Sequence, residues 1–168
     1  ALVLGRQRLR QVPPRRRVAR VLGRLQSGLE DAEARLERLT QQVTDYVTTA
    51  NDPYLIPFRA AIRAGAPFVM MSTAIYAKLD PGTPAAFSAR IVTGLLRQKL
   101  GFRGLVISDD LGGARQVADV PLGERAVRFV AAGGDVVLTV DASQAAPMTA
   151  ALLAKAKADP AFRKQVDD

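Results

Sequence analysis

The sequence predicts an α/β chain of about three consecutive βα units with parallel strands, preceded by a helical segment. Apolar runs too short for helices begin near residues 68, 104 and 135. The intervals between them, 36 and 31 residues, each hold a helix-like pattern. Each run ends in polar side chains: Ser72 and Thr73, then Ser108, Asp109 and Asp110, then Thr139 and Asp141. The middle run, Leu105-Val106-Ile107, is apolar throughout and is bracketed by Gly101, Gly104 and Gly112. That pattern fits a strand of a parallel sheet covered by helices. Ligands of such folds gather beyond the carboxyl ends of the strands, so Ser108-Asp109-Asp110 is where a site is expected. The same acids could instead cap the turn or helix that follows.

Composition narrows the chemistry. With 168 residues, 48% of them hydrophobic, the chain can bury a sizeable core. It has no Cys, which excludes disulfides, thiolate metal sites and a cysteine nucleophile. It has no His, the commonest general base and metal ligand. Carboxylates remain as the catalytic side chains near neutral pH. The formal charge is +8, of which residues 1–42 carry +6 through ten Arg and four acids. The longest uncharged run, residues 64–77, is too short to span a bilayer and is interrupted by Pro67. Ala1 to Gly5 is apolar but arginines follow at once, so no signal-peptide core is read; cytoplasmic and secreted locations both stay open.

In order along the chain, residues 6–24 are Arg-rich around Pro13-Pro14. They lack an aromatic platform, so nucleic acid is not the expected partner. Leu29 to Val43 reads as an amphipathic helix with Leu36, Leu39 and Val43 on one face. Residues 44–54 read as a Thr-rich loop ending in Asn51-Asp52-Pro53. A short helix is expected over 57–65, with Pro57 at its start and Gly65 at its stop. Phe68 to Met71 is the first strand, and Ala77 to Phe87 is a long loop. Ser88 caps the next helix, whose Ile91, Leu95 and Leu96 face inward before Gly101 ends it. After the central strand come a polar loop over 112–121 and a helix over about 123–132, broken by Gly133-Gly134. Residues 135–140 form the third strand. An Ala-rich helix over 147–158 follows, and Pro160 begins a last segment.

Residues 53–140 resemble the catalytic domain of glycoside hydrolase family 3, in its bacterial beta-N-acetylhexosaminidase-like branch. The matching pieces are Pro57-Phe58 with Ile62 and Gly65, Val69-Met70 through Tyr76, Leu79-Asp80, Pro84-Ala85 with Ser88, Leu95-Leu96-Arg97 and Leu100-Gly101-Phe102 with Gly104. Val106-Ile107-Ser108-Asp109-Asp110-Leu111 is the strongest, and Ala132-Gly133 with Asp135 completes the series. The resemblance implies a partial or truncated TIM (β/α)8 barrel whose C-terminal βα units are the ones present. The domains expected are 1–42, an Arg-rich, partly helical segment outside the family pattern, and 43–168, the C-terminal portion of the barrel. The resemblance also implies retaining hydrolysis of O-glycosyl bonds in beta-N-acetylglucosaminide-like substrates. Asp109 would be the nucleophile, with Met70, Thr73, Ser108 and Asp110 as substrate-binding residues. Asp110 would sit beside the nucleophile, point away and hold the loop. No cofactor and no metal are expected; Asp109, Asp110 and Asp141 make only a weak oxygen-ligand set.

The departures from the family are as definite. Its Lys-His-Phe-Pro-Gly-His-Gly sugar-binding stretch and its Asp-His acid/base are expected upstream, and a chain without His can hold neither. Thr73 stands where many members have His. Two readings follow. One is a glycoside hydrolase that is inactive as this chain alone, for want of those groups. The other is a non-catalytic carbohydrate-binding or structural remnant of the barrel. Asp45 is a candidate surrogate acid, and Asp141 a candidate ligand contact. Asp135 is expected to support the last strand, while Arg97 and Arg103 are expected on helix and turn surface. The partners expected are a carbohydrate and, over the open barrel edges, a complementary chain or a second copy.

Overall fold

The computed structural model describes residues 23–30 and 44–167. The chain divides into two units, Ala1–Thr40 and Gln41–Asp168. Residues 23–30 of the first are helical. Residues 6–22 of the Arg-rich stretch, and the helix expected over 29–43 beyond residue 30, lie outside the described residues.

The second unit contains, in order, β1 (Thr44–Asp45), α1 (Ile56–Arg63), β2 (Phe68–Met71), β3 (Ile75–Tyr76), α2 (Arg90–Lys99), β4 (Leu105–Asp110), α3 (Leu122–Ala131), β5 (Val136–Leu138), α4 (Ala145–Ala158) and α5 (Pro160–Asp167). Strands β2, β4 and β5 form one parallel sheet in that order. The crossovers carry α2 and α3, as parallel neighbours require. The sheet is open, with β2 and β5 as its edges, so the architecture is a partial (β/α)8 unit and not a closed barrel. Strands β1 and β3 pair in parallel, Thr44 with Ile75 and Asp45 with Tyr76. The sequence predicts loop at β1 and assigns no element to β3, because two residues are too few to show an alternation.

The core lies between the sheet and the helices. Val106 from β4 meets Val92 and Leu96 of α2, Phe102, and Ala126 and Phe129 of α3, with Leu111 and Met148 completing the cluster. Sequence predicts burial of both sheet faces, and the structure supplies it on one. On the other face Phe68 is 59% exposed, Met70 60%, Leu105 45% and Val136 37%. The interior of a barrel is filled by side chains from all its strands. Three strands leave that face open.

Helix α2 begins where expected. The Ser88 hydroxyl accepts from Ile91 N (3.1 Å) and donates to Asp80 Oδ2 (2.6 Å). The helix then winds wider than the α-helix predicted, with π-type bonding that ends in Leu100 N donating to Leu95 O at 2.9 Å. An apolar stripe does not distinguish the two windings. Gly101, at φ +76°, stops it in a conformation that L side chains rarely adopt. Because Ser88 is buried, Ser88→Ala should destabilise the unit by about 1–2 kcal/mol in urea unfolding. An unchanged midpoint would show that the cap contributes nothing.

Arg97 of α2 ties the helix to the starts of two strands. Its guanidinium donates to Gly133 O (2.9 and 3.1 Å) and Gly104 O (3.3 Å), and pairs with Asp135 Oδ2 (2.6 Å). The same carboxylate oxygen accepts from Val106 N at 2.6 Å. Asp135 and Arg97 thus hold the amino ends of β4 and β5, away from the strands' carboxyl ends. Arg103 is exposed on the turn before β4.

Candidate active site

Strand β4 delivers its acids through an irregular ladder. Ile107 pairs with Val136 and Asp110 with Leu138, so β4 takes three steps where β5 takes two. A bulge of this kind leaves strand amides without their ladder partners and re-aims side chains. Here side chains of β4 take up the loose amides. Ser108 Oγ accepts from Leu138 N (2.9 Å), and Asp110 Oδ1 accepts from Val140 N (3.2 Å) and Gly112 N (3.0 Å). Between these two fastened residues stands Asp109. Its Oδ1 accepts only from the neighbouring Asp110 N (2.7 Å), and the residue is exposed.

Two of the expected substrate contacts, Ser108 and Asp110, are engaged with backbone groups. Ser108 is 0% exposed. Its hydroxyl donates to Asp109 O (2.7 Å) besides accepting from β5, so it braces the backbone. Asp110 is half-buried and occupied by two amides. It holds the loop and does not reach outward. Met70 is exposed and pairs in register with Ile107, which puts it on the bare sheet face. Thr73 lies half-buried two residues beyond the carboxyl end of β2.

The surrogate-acid reading of Asp45 also needs correction. The Thr48 amide, the Thr48 hydroxyl and the Val47 amide all donate to its carboxylate at 2.7 Å. These bonds, the Thr48 amide first, hold its pKa below the ordinary aspartate value. A proton donor needs the opposite shift. Asp141 is likewise engaged, accepting from the Ser143 hydroxyl (2.7 Å) and amide (2.9 Å), which lower its pKa in that order. Asp159 is lowered chiefly by the Lys155 ammonium and next by the Phe162 amide. Groups with depressed folded-state pKa values add stability above the unfolded value and lose it as pH falls through the folded one. The urea midpoint should therefore hold between about pH 7 and 5 and drop below about pH 4. A triple Asp45→Asn, Asp141→Asn, Asp159→Asn variant should lose less over that interval; an equal loss would place the acid sensitivity elsewhere.

Asp109 lines neither of two cavities that indent the described surface. One of about 760 Å³ lies among Arg90, Arg97, Gln98, Gly133, Asp135 and Gln165. The other, about 490 Å³, is apolar and lies between Phe58 of α1, Met70 and Met71 of β2, and Leu95 of α2, with Asp45 and Thr48 at its polar end. Among the described residues no group of three or more His, Cys, Asp or Glu is placed to hold a metal ion. Among them, too, no helix is long and apolar enough to cross a membrane.

One residue escaped the sequence reading. Arg125 of α3 is only 7% exposed, and its guanidinium reaches the loop that follows β4. The signal was available: three residues after Leu122 and four before Phe129, it falls on the helix's apolar face.

Parallel strands in one sheet with helices on one side, and an exposed acid at the carboxyl end of the middle strand, define part of a (β/α)8-type domain. The family profile described as "Glycosyl hydrolase family 3 N terminal domain" matches residues 28–168, a wider span than the 53–140 carried by the sequence motifs. The chain belongs to glycosyl hydrolase family 3, through its N-terminal domain. It is similar to a beta-hexosaminidase of Stenotrophomonas maltophilia (strain K279a), 42% identical over 102 residues, which is 55% of this chain and 30% of that protein. The crystal structure of a beta-N-acetylhexosaminidase from Beutenbergia cavernae DSM 12333 superposes with a TM-score of 0.72 at 51% identity, covering 74% of this chain and 37% of the other. A family 3 beta-N-acetylglucosaminidase from Paenibacillus sp. str. FPU-7 gives 0.64 at 28% identity, covering 74% and 26%. The match thus spans 26–37% of the length of these relatives.

Proposed function

We propose that this chain carries the nucleophile portion of a retaining beta-N-acetylglucosaminidase site, with Asp109 as the nucleophile. The observation that carries the reading is the contrast within one bulge: Ser108 and Asp110 are fastened to backbone amides, while Asp109 stands exposed between them. An Asp109 carboxylate oxygen would attack the anomeric carbon as the bond to the leaving oxygen breaks, giving a glycosyl ester that water then hydrolyses. Met70 and Thr73 would contact the sugar. Relatives named as beta-hexosaminidase and beta-N-acetylglucosaminidase support the substrate class. Asp45, whose pKa its hydrogen bonds hold below the ordinary aspartate value, is poorly suited to give the leaving oxygen its proton, which would come from another group. The open edges of β2 and β5 would be covered by a complementary chain or a second copy.

The absence of His and the engaged state of Asp45 favour a second reading, a carbohydrate-binding remnant without turnover. The test is to incubate the chain with activated 2-fluoro aryl beta-glycosides, alongside an aryl N-acetylglucosaminide. Such leaving groups need little protonation. Intact mass and peptide mapping should show one glycosyl adduct, on Asp109. A folded sample that gains no adduct and releases no phenol would leave the binding reading standing.

A further inference from the structure

Arg125 is buried without a counter-ion. Among the described residues it forms no salt bridge, and four backbone carbonyls take its guanidinium protons. Nη1 donates to Leu111 O (2.7 Å) and Gly112 O (2.9 Å), Nη2 to Ala118 O (3.1 Å) and Nε to Val120 O (2.7 Å). A charge taken from water needs strong hydrogen bonds to survive burial, and a guanidinium stays charged at any working pH. The four carbonyls fall in two pairs. Leu111 and Gly112 directly follow the acids at the end of β4, and Ala118 and Val120 close the far end of the same loop. One planar fork therefore gathers both ends of the β4–α3 loop.

We propose that Arg125 is a positioning residue for Asp109. By fixing the carbonyls just beyond the bulge, it holds the β4 terminus in the register in which Ser108 and Asp110 are fastened and Asp109 is free. A fork that satisfies four acceptors at set angles is specific to arginine. A lysine ammonium has three donors on one atom and cannot span the two pairs together. This inference rests on Asp109 being the nucleophile.

The experiment compares this chain with Arg125→Lys and Arg125→Met. Amide hydrogen exchange is read over residues 110–120, where Gly112, Ala114, Val117, Ala118 and Val120 donate within the loop. Strand β2 serves as reference. Esterification by an activated 2-fluoro glycoside is followed as a function of reagent concentration. In Arg125→Met, loop exchange should rise about tenfold or more with β2 unchanged. The maximal labelling rate should fall about tenfold or more, with half-saturation within about twofold. Arg125→Lys, which keeps the charge and most of the volume, should fold as the parent does and recover only part of both. Unchanged loop exchange in both variants overturns the inference, as does labelling of both at the parental rate. Equal loss of protection in β2 and the loop assigns Arg125 to the fold at large and likewise overturns it. A parent chain that takes no label overturns the nucleophile reading itself, a result distinct from the others.

Discussion

Asp109→Asn should abolish covalent labelling, lowering its rate by about 10³-fold or more, while the thermal midpoint stays within about 2 °C of the parent. The pairing of a large chemical effect with a small structural one follows from its surroundings. The carboxylate is exposed and accepts a single bond from the next residue's amide, which an Asn carbonyl oxygen can also accept. Asp110→Asn should show the reverse bias. Its Oδ1 holds Gly112 N and Val140 N together, and a neutral amide oxygen accepts these more weakly than a carboxylate does. A loss of about 1–2 kcal/mol is expected there, read by urea unfolding, with labelling of Asp109 retained at reduced rate. If Asp109→Asn unfolds as readily as Asp110→Asn, the division of labour across the bulge is refuted.

Phe129→Ala should destabilise the unit by about 3–5 kcal/mol, a large share of the stability expected of a domain this size. The ring projects from α3 and is fully buried in the core cluster that includes Val106 of β4. It also explains why position 134 is glycine. A Cβ there would lie 2.3 Å from two ring carbons of Phe129, whereas the backbone of Gly134 would itself accept a side chain. Gly134→Ala is therefore destabilising through the ring alone, by about 1–3 kcal/mol. Once Phe129 is trimmed to Ala, the new methyl enters vacated space. The double variant should be more stable than the sum of the single effects implies, by about 1–3 kcal/mol, in a four-protein denaturant cycle. Strict additivity would mean that the two positions do not share this space.

Much of the fold was legible because its signals are local. Strand β2 spans the predicted residues, and the helices start near Ser88 and Pro160, where cap and proline chemistry mark them. Gly101 and Gly133 end helices at positive φ, as breakers should. What sequence could not give was cross-strand. The slip between β4 and β5 arises only when Ile107 meets Val136 and Asp110 meets Leu138, and it decides which polar residue is free. The sequence foresaw that Asp110 would hold the loop but not that Ser108 would be fastened to an amide of β5. Asp45 failed as an acid for a similar reason. Its hydrogen bonds come from a turn of four residues whose geometry no periodicity announces. Arg125 was passed over because an arginine within a helix is ordinarily solvated; its place on the apolar face hinted at burial, and the four carbonyls that take its protons emerge only in the fold.

The uncovered sheet face also sets the medium in which Asp109 stands. With Phe68, Met70, Leu105 and Val136 open to solvent and Asp109 itself exposed, the carboxylate stands in a hydrated, high-dielectric setting. Two unit charges 4 Å apart interact by about 1 kcal/mol in bulk water and by about 4 kcal/mol at an effective dielectric of 20. An oxyanion in water also keeps its hydration shell, which must be shed before it can approach an anomeric carbon. Whatever closes over these four side chains would dry the site as well as complete it. On the proposed role of Asp109, its reactivity would be set in part by residues that never touch it.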